Sequence, residues 1–467
     1  MSFRKMIASV VTAFVCAAPV QAQVISAGDS SLAARIDSVA AQVLRSTGVP
    51  SASVAVVRHG RVAYAKAYGV ASLETHAPAT ADMRYAIGSI SKQFTAAAIL
   101  LLQQEGKLSL DDPVSRFIPG LTRGNEVTIR QLLSHTSGYQ DFWPQDYVMP
   151  TMLKPVTAGE IADRWAKKAL DFDPGARWQY SNTNYTLAGL VLEKASGMPY
   201  WDFIRKRLLE PLALNSAANF DVNPRVVGAK GYLRYALGPL RPAPDAGSGW
   251  MWAAGELAMT ASDLASWDIS LIRRSLLAPA SYLALETDVR LNNGAATGYG
   301  LGVDIAMQNG RFLVEHSGEV SGFTAENMVF PDDSAAVVVL TNQDAAPASV
   351  AIAQQIAQLL FTNEDALTES RTARARAIFD GLQHGTIDRA LFTPNANAYF
   401  SEQALTDFAT SLAPLGGPTS FTQTRQSNRG GMILRSYRVG FPDRVLRAWT
   451  FEMPDGTLEQ FQVAPST

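Results

Sequence analysis

Ser89-Ile90-Ser91-Lys92-Gln93-Phe94-Thr95-Ala96-Ala97-Ala98-Ile99-Leu100-Leu101-Leu102-Gln103-Gln104 is the stretch on which the reading of this chain turns. From Ala96 to Leu102 it is apolar on every side of a helix, which predicts a helix buried at the centre of a domain. Gly106 ends it. A serine in the first turn stands among backbone N–H groups that lack intrahelical partners, where the helix dipole favours negative charge. Lys92, three residues on, shares its face and can reach the hydroxyl. If buried there, its ammonium is desolvated, its pKa falls and it can accept a proton. A bland alternative is a capping serine and a surface lysine, and Ser2-Phe3-Arg4-Lys5 repeats the pattern by chance. Against it, so apolar a helix leaves Lys92 no obvious exposed face.

Outward from this helix, residues 52–68 predict a β-hairpin turning at His59-Gly60. Helical patterns recur over 128–134, 157–168, 185–196, 200–208 and 261–273. Two long loops, 138–155 and 236–250, have the length of functional rims. Strand patterns return at 299–306, 311–316, 324–330 and 335–341, before a helix at 347–361. Strands at both ends with helices between predict one α/β sheet with a helical insertion. Residues 362–370 read as a polar linker. The rest, 371–467, begins helical and then alternates as strands, among them Met432 to Val439, Val445 to Met453 and Leu458 to Val463. Asp455-Gly456 is the hairpin turn between the last two. This predicts a small α+β domain.

Two further motifs carry chemistry. Tyr180-Ser181-Asn182 follows Pro174-Gly175 and Trp178 and precedes a helix expected near Tyr185. A phenol beside a lysine ammonium can serve as a general base, and the Asn182 amide can bond both the lysine and a substrate carbonyl. A polar turn with one buried tyrosine is the simpler alternative. His316-Ser317-Gly318 follows the strand Arg311 to Glu315. A strand there can lend a backbone N–H to an oxyanion hole, and Gly318 admits close approach. A histidine at a strand end is otherwise structural.

Taken in order, Ser-x-x-Lys, Tyr-x-Asn and His-x-Gly resemble the signature of the penicillin-recognising serine hydrolases. That family includes serine β-lactamases, D-alanyl-D-alanine carboxypeptidases, D-aminopeptidases and β-lactamase-like esterases. Leu132-Leu133-Ser134-His135-Thr136-Ser137-Gly138, Ala254-Gly255-Glu256-Leu257, Ala261-Ser262-Asp263-Leu264-Ala265 and Tyr299-Gly300-Leu301-Gly302 are similar to its class C-like branch. The resemblance spans about residues 30–361 and does not include the last hundred. It implies a β-lactamase-like fold, an antiparallel sheet with flanking helices and a helical subdomain. It implies Ser89 as nucleophile and acyl carrier, Lys92 and Tyr180 as sharers of the proton transfers, and Asn182 as the positioner of Lys92 and substrate. His316 takes the place many members give to lysine. Gly318 lies at the substrate edge, and the backbone N–H groups of Ser89 and Glu319 form the oxyanion hole. Tyr180 is the preferred base for both steps, but which of Lys92 and Tyr180 takes the first proton stays open.

Two departures shape the expected activity. No Lys-Thr-Gly occurs. Class C β-lactamases use that lysine for the antibiotic's carboxylate, and a neutral histidine holds anions less well. No acidic deacylation base of the class A kind is visible, which leaves deacylation to Tyr180. Amides or esters, D-amino-acid peptides among them, are the expected substrates. The alternatives are a true β-lactamase or a non-catalytic penicillin-binding or scaffold protein. His135 sits in a run that reads as structural.

Composition agrees with a globular protein. The chain has 467 residues, 47% hydrophobic and 18% charged, which suggests two or three domains with sizeable cores. A formal net charge of −2 gives no electrostatic footprint for nucleic acid. The nearest basic cluster, Arg371, Arg374 and Arg376, reads as a solvated helix face. Arg4 and Lys5, the apolar run Ile7 to Ala18 and Val20-Gln21-Ala22 read as a signal peptide, 1–22, cleaved after Ala22. The run is too short for a stable membrane span. The mature domain is then 23–361, and the protein periplasmic or secreted. Val15 before Cys16 argues against a lipid anchor. Cys16 is the one cysteine, so the mature chain has neither a thiol nor a disulfide. The scattered histidines predict no metal, and no Gly-rich phosphate loop or other cofactor motif is present. The expected partner is a small-molecule or short-peptide substrate, and oligomeric state is not legible.

Overall fold

A computed structural model describes residues 27–145, 147–361 and 368–465. The expected signal segment and Cys16 lie outside the described residues, as does most of the expected linker. The chain divides into two compact units, one up to Ala357 and one from Gln358 onward.

The first unit is built on six antiparallel strands: β1 (Ser51–Arg58), β2 (Arg61–Gly69), β3 (Asp304–Gln308), β4 (Arg311–Val320), β5 (Phe323–Phe330) and β6 (Ala335–Thr341), in the order β2-β1-β6-β5-β4-β3. The two ends of the unit thus meet where β1 pairs with β6, Ala52 opposite Thr341. β1, β5 and β6 are buried nearly residue for residue, as strands covered on both faces must be. The helices that matter here are α1 (Ala27–Thr47), α2 (Ser91–Gln104), α3 (Asn182–Ser196), α4 (Ala261–Arg273) and α5 (Ala348–Phe361). α1 packs on β2 and β1, α4 lies against β6 and β1, and α2 packs against α3.

α2 is buried from Ser91 through Leu102. A helix so apolar could slide on its neighbours, but polar pegs fix it. Gln93 donates to Asn327 of β5 at 2.9 Å, and Trp267 of α4 donates to Gln93 at 2.8 Å. Asn327 in turn donates to Asp268 at 2.7 Å. Phe94 stacks on Trp267 with ring centroids 4.1 Å apart. Paired buried polar groups of this kind specify one register where apolar contacts alone would not.

Several elements differ from the sequence expectation. Ser89 belongs to a 3-10 turn, Gly88–Ile90, and the α-helix proper starts at Ser91. Asn182, not Tyr185, opens α3, with Ser181 extended before it. The expected strand 299–306 exists only from Asp304. Tyr299 to Val303 is a turn whose glycines mimic strand alternation while serving contact, since a Cβ on Gly302 (φ +76°) would lie 2.8 Å from the Lys92 carbonyl oxygen. β4 runs to Val320, so His316 lies within a strand rather than at its end; a two-residue turn, Ser321-Gly322, keeps β4 and β5 paired to Val320 and Phe323. The expected helix 157–168 is α-helical only over Ala158–Ile161 and continues as a wider π turn, Ala162–Ala166.

The second unit holds a helix, α6 (Thr368–Gln383), shorter helices and four strands, β7 (Ser420–Arg429), β8 (Met432–Gly440), β9 (Val445–Glu452) and β10 (Leu458–Pro465), paired in sequence order. Helix therefore replaces the last residues of the expected linker. Phe379, Phe400, Tyr437, Val439 and Phe461 are core residues. The basic cluster is not a solvated face. Arg371 and Arg374 both pair with the buried Glu452 of β9, at 2.6 and 2.8 Å, and the buried Arg435 of β8 joins them at 2.7 Å. Only Arg376 keeps to an exposed pairing, with Asp380. Among the described residues no helix is long and apolar enough to cross a membrane.

Candidate active site

The turn before α2, the start of α3 and strand β4 converge on one cleft of about 370 Å³. Ser89 stands on its floor. The Ser89 Oγ lies 2.9 Å from Lys92 Nζ and 2.7 Å from the Tyr180 hydroxyl. Lys92 is wholly buried. Its Nζ also donates to Asn182 Oδ1 at 2.9 Å and to the Ala254 carbonyl at 2.8 Å. The ring of Tyr180 lies 4.9 Å from the same nitrogen.

These partners suit either protonation state of the lysine. An ammonium has three donors for three acceptors. A neutral amine keeps two donors, for Asn182 and Ala254, and a lone pair toward the Ser89 proton. The Asn182 orientation follows from Asp141, whose carboxylate accepts from the Asn182 backbone N–H at 2.9 Å and from its Nδ2 at 3.4 Å. Since a carboxylate only accepts, Oδ1 is the atom turned to Lys92. Burial raises the Asp141 pKa, while its backbone bonds and Lys92 work against that.

Glycines bring the turn and β4 together. A Cβ on Gly318 would sit 1.9 Å from the Ile87 carbonyl oxygen and 3.3 Å from the Ser89 nitrogen, and one on Gly88 (φ +52°) would sit 2.8 Å from the Glu319 nitrogen. Only glycine at both positions permits this approach. It brings the backbones of Ser89 and Glu319, both of which line the cleft, close together.

His316 is buried and neutral. Its Nδ1 donates to the Ser317 carbonyl at 2.5 Å, and its Nε2 lies 2.9 Å from the Tyr299 hydroxyl. Burial first, and Lys92 second, push its pKa down to about 3, against the pull of the Ser317 bond. His135 is fully buried and does not reach Ser89. Its ring lies tilted against that of Tyr180 with centroids 4.3 Å apart, and its Nδ1 accepts from the Ser181 N–H at 3.2 Å. Burial, Lys92 and His316 hold its pKa well below 6.5. It packs against Tyr180 and is not among the residues that line the cleft.

The structure thus brings Ser89, Lys92, Tyr180, Asn182, His316, Gly318 and Glu319 to one site. Asp141, Tyr299, the Ala254 carbonyl and an aromatic wall of Trp143, Trp178 and Trp250 were missed by the sequence reading. The long loop 138–155 pointed toward Asp141 and Trp143, and the Tyr299-Gly300-Leu301-Gly302 run contained Tyr299, but neither signal named the residue.

The beta-lactamase family model matches residues 36–361. The chain belongs to this family. Penicillin-binding protein 4* of Bacillus subtilis (strain 168) is 30% identical over 308 residues, 62% of this chain and 68% of that protein. A D-stereospecific amidohydrolase from Streptomyces sp. is similar in structure, with a TM-score of 0.59 and 28% identity over 70% of this chain and 98% of its own. The octameric penicillin-binding protein homologue from Pyrococcus abyssi shares the fold, with a TM-score of 0.62 and 24% identity over 92% of this chain and 99% of its own. Membership makes this beta-lactamase-family chain a serine hydrolase. Its β-lactamase-like fold is the six-stranded sheet with flanking helices, and the second unit has its own sheet.

Proposed function

We propose that the protein hydrolyses amide or ester bonds of small molecules or short peptides through an acyl-enzyme on Ser89, with D-amino-acid amides and peptides as its main substrates. The Ser89 hydroxyl, held between Lys92 Nζ at 2.9 Å and the Tyr180 hydroxyl at 2.7 Å, carries this reading. Lys92 and Tyr180 move the proton on attack, and the Ser89 and Glu319 amides receive the charge that develops on the carbonyl oxygen. Asn182 and His316 line the acyl position, and Tyr180 directs water in deacylation. The similarity to a D-stereospecific amidohydrolase supports the substrate class. β-Lactamase activity is the weaker reading, because His316 is uncharged where a cation would hold the antibiotic's carboxylate. Secretion behind residues 1–22, a catalytic domain over 23–361 and an accessory domain over 371–467 complete the proposal.

The test is intact-protein mass spectrometry after incubation with a labelled penicillin and, separately, with a p-nitrophenyl ester of a D-amino acid. An adduct mapped to Ser89, with turnover lost in Ser89→Ala, is the expected result. A folded protein that forms no adduct and turns over neither compound would overturn it in favour of a binding role.

A further inference from the structure

The cleft holds a carboxylate that the proposed chemistry does not use. Asp304, first residue of β3, lines the cleft together with Ser89, His316 and Ser317. Across the ladder it faces Glu315 of β4. Ser317 follows Glu315 by two residues and so shares its side of the sheet. Glu326 of β5 stands opposite Ser317. Asp304, Glu315 and Glu326 therefore occupy one face, whose edge opens into the cleft through Asp304 and Ser317.

Among the described residues, none of these three carboxylates has a hydrogen bond or a cation partner. Glu326 is 5% exposed, so its carboxyl stands largely out of water, which is costly when it is charged. Burial raises Asp304 to about 6. Burial and its acidic neighbours raise Glu315 to about 7 and Glu326 to about 8. Tyr299 and Tyr185 are the other titratable groups that feel Asp304. Glu319, the other acid of the cleft, is different, because its carboxylate already accepts from the Ala345 N–H at 2.7 Å. No lysine or arginine is among the residues that line the cleft. Among the described residues no three His, Cys, Asp or Glu side chains are grouped to hold a metal ion. What remains is a face of three carboxyls, with Asp304 the most readily ionised of them, beside a wall of Trp143, Trp178, Trp250 and Tyr299. Such a wall accepts an apolar side chain and tolerates a cation over its rings.

We propose that Asp304, backed by Glu315 and Glu326, is a subsite for a primary ammonium group of the substrate. The cleft then selects molecules that carry a free amine and rejects those that carry a carboxylate at that end. This rests on the reading of the cleft as the substrate site, but its test is binding and needs no turnover.

Ser89→Ala protein is titrated by calorimetry with D-phenylalanine amide and with its N-acetyl derivative, which has the same ring but no charge. The free amine binds at least about tenfold tighter, the factor that about 1.4 kcal/mol supplies. Adding Asp304→Asn removes the preference, and Asp304→Glu retains part of it. Equal binding of the two compounds, no binding of either, or a preference that survives Asp304→Asn would each overturn the subsite. Failure of Ser89 to form an acyl adduct would instead count against the proposed reaction and leave this result standing.

Discussion

Gly318→Ala tests the oxyanion arrangement by the smallest change that can disturb it. The new Cβ would lie 1.9 Å from the Ile87 carbonyl oxygen and 2.9 Å from its carbon. Ordinary carbon–oxygen contacts are about 3.3 Å or longer, so β4 and the turn before Ser89 must separate by roughly 1.4 Å. Both partners are backbone, so no side chain can swing aside to absorb the shift. The separation carries the Glu319 amide away from the Ser89 amide. Loss of one oxyanion donor costs about 100- to 1,000-fold in the chemical step, and overpacking costs about 1–3 kcal/mol of stability. The assay is the burst rate of acylation by a p-nitrophenyl ester, beside a urea unfolding curve. Gly417→Ala is the control, because nothing lies within 4 Å of its Cβ position. Acylation at the wild-type rate in folded Gly318→Ala would refute the assignment of these amides.

Lys92→Ala and Tyr180→Phe should each lower turnover by about two to four orders of magnitude, the usual loss for a proton-transfer group; near-normal steady-state rates in either would contradict the roles proposed. His316→Ala should alter substrate preference more than it slows acylation, and removing the Tyr299 hydroxyl's acceptor should cost about 1–3 kcal/mol in unfolding. Complete loss of acylation would show that His316 does more than line the site. Glu326 is a carboxyl raised from 4.5 to about 8, chiefly by burial. The native state therefore keeps a proton that the unfolded chain has released, so its contribution is full below 4.5 and lost as pH rises through 8. Glu326→Gln, which stays neutral, should flatten the fall in urea midpoint between about pH 5 and pH 9; parallel curves for the two proteins would count against a buried neutral carboxyl.

What was legible in the sequence was what periodicity and fixed motifs encode. The apolar run behind Ser89 announced α2, and α4 was bounded at Ala261 and Arg273 because Thr260 caps its start by accepting from the Asp263 N–H. Local pattern failed where backbone contact decides. Tyr299 to Val303 alternates like a strand, but Gly300 and Gly302 are there to touch the Leu285 and Lys92 carbonyls. Arg371 and Arg374 look solvated along α6, and only the pairing of β8 with β9 reveals that Glu452 awaits them. Asp141 carries no periodic signal, because its role is set by α3 beginning above it. Residues of this kind act through a partner distant in sequence, so a single chain read in order cannot show them.

The hydrogen-bond directions around Ser89 assign the two tyrosines different duties. The Ser317 carbonyl can only accept, so the His316 proton is on Nδ1 and its Nε2 is an acceptor. Tyr299 must then donate its hydroxyl proton to that nitrogen, which commits it. His316 is left with no lone pair for Ser89 and cannot be the base. The Tyr180 hydroxyl is directed at Ser89 Oγ. Two of the Lys92 contacts, Ala254 O and Asn182 Oδ1, accept whatever the lysine's charge, and a third is made toward Ser89. In the proposed reaction the mobile proton passes among Ser89, Lys92 and Tyr180. The neutral His316 and His135 enclose that trio without joining it, which is why their substitution should redirect or slow the reaction while the nucleophile survives.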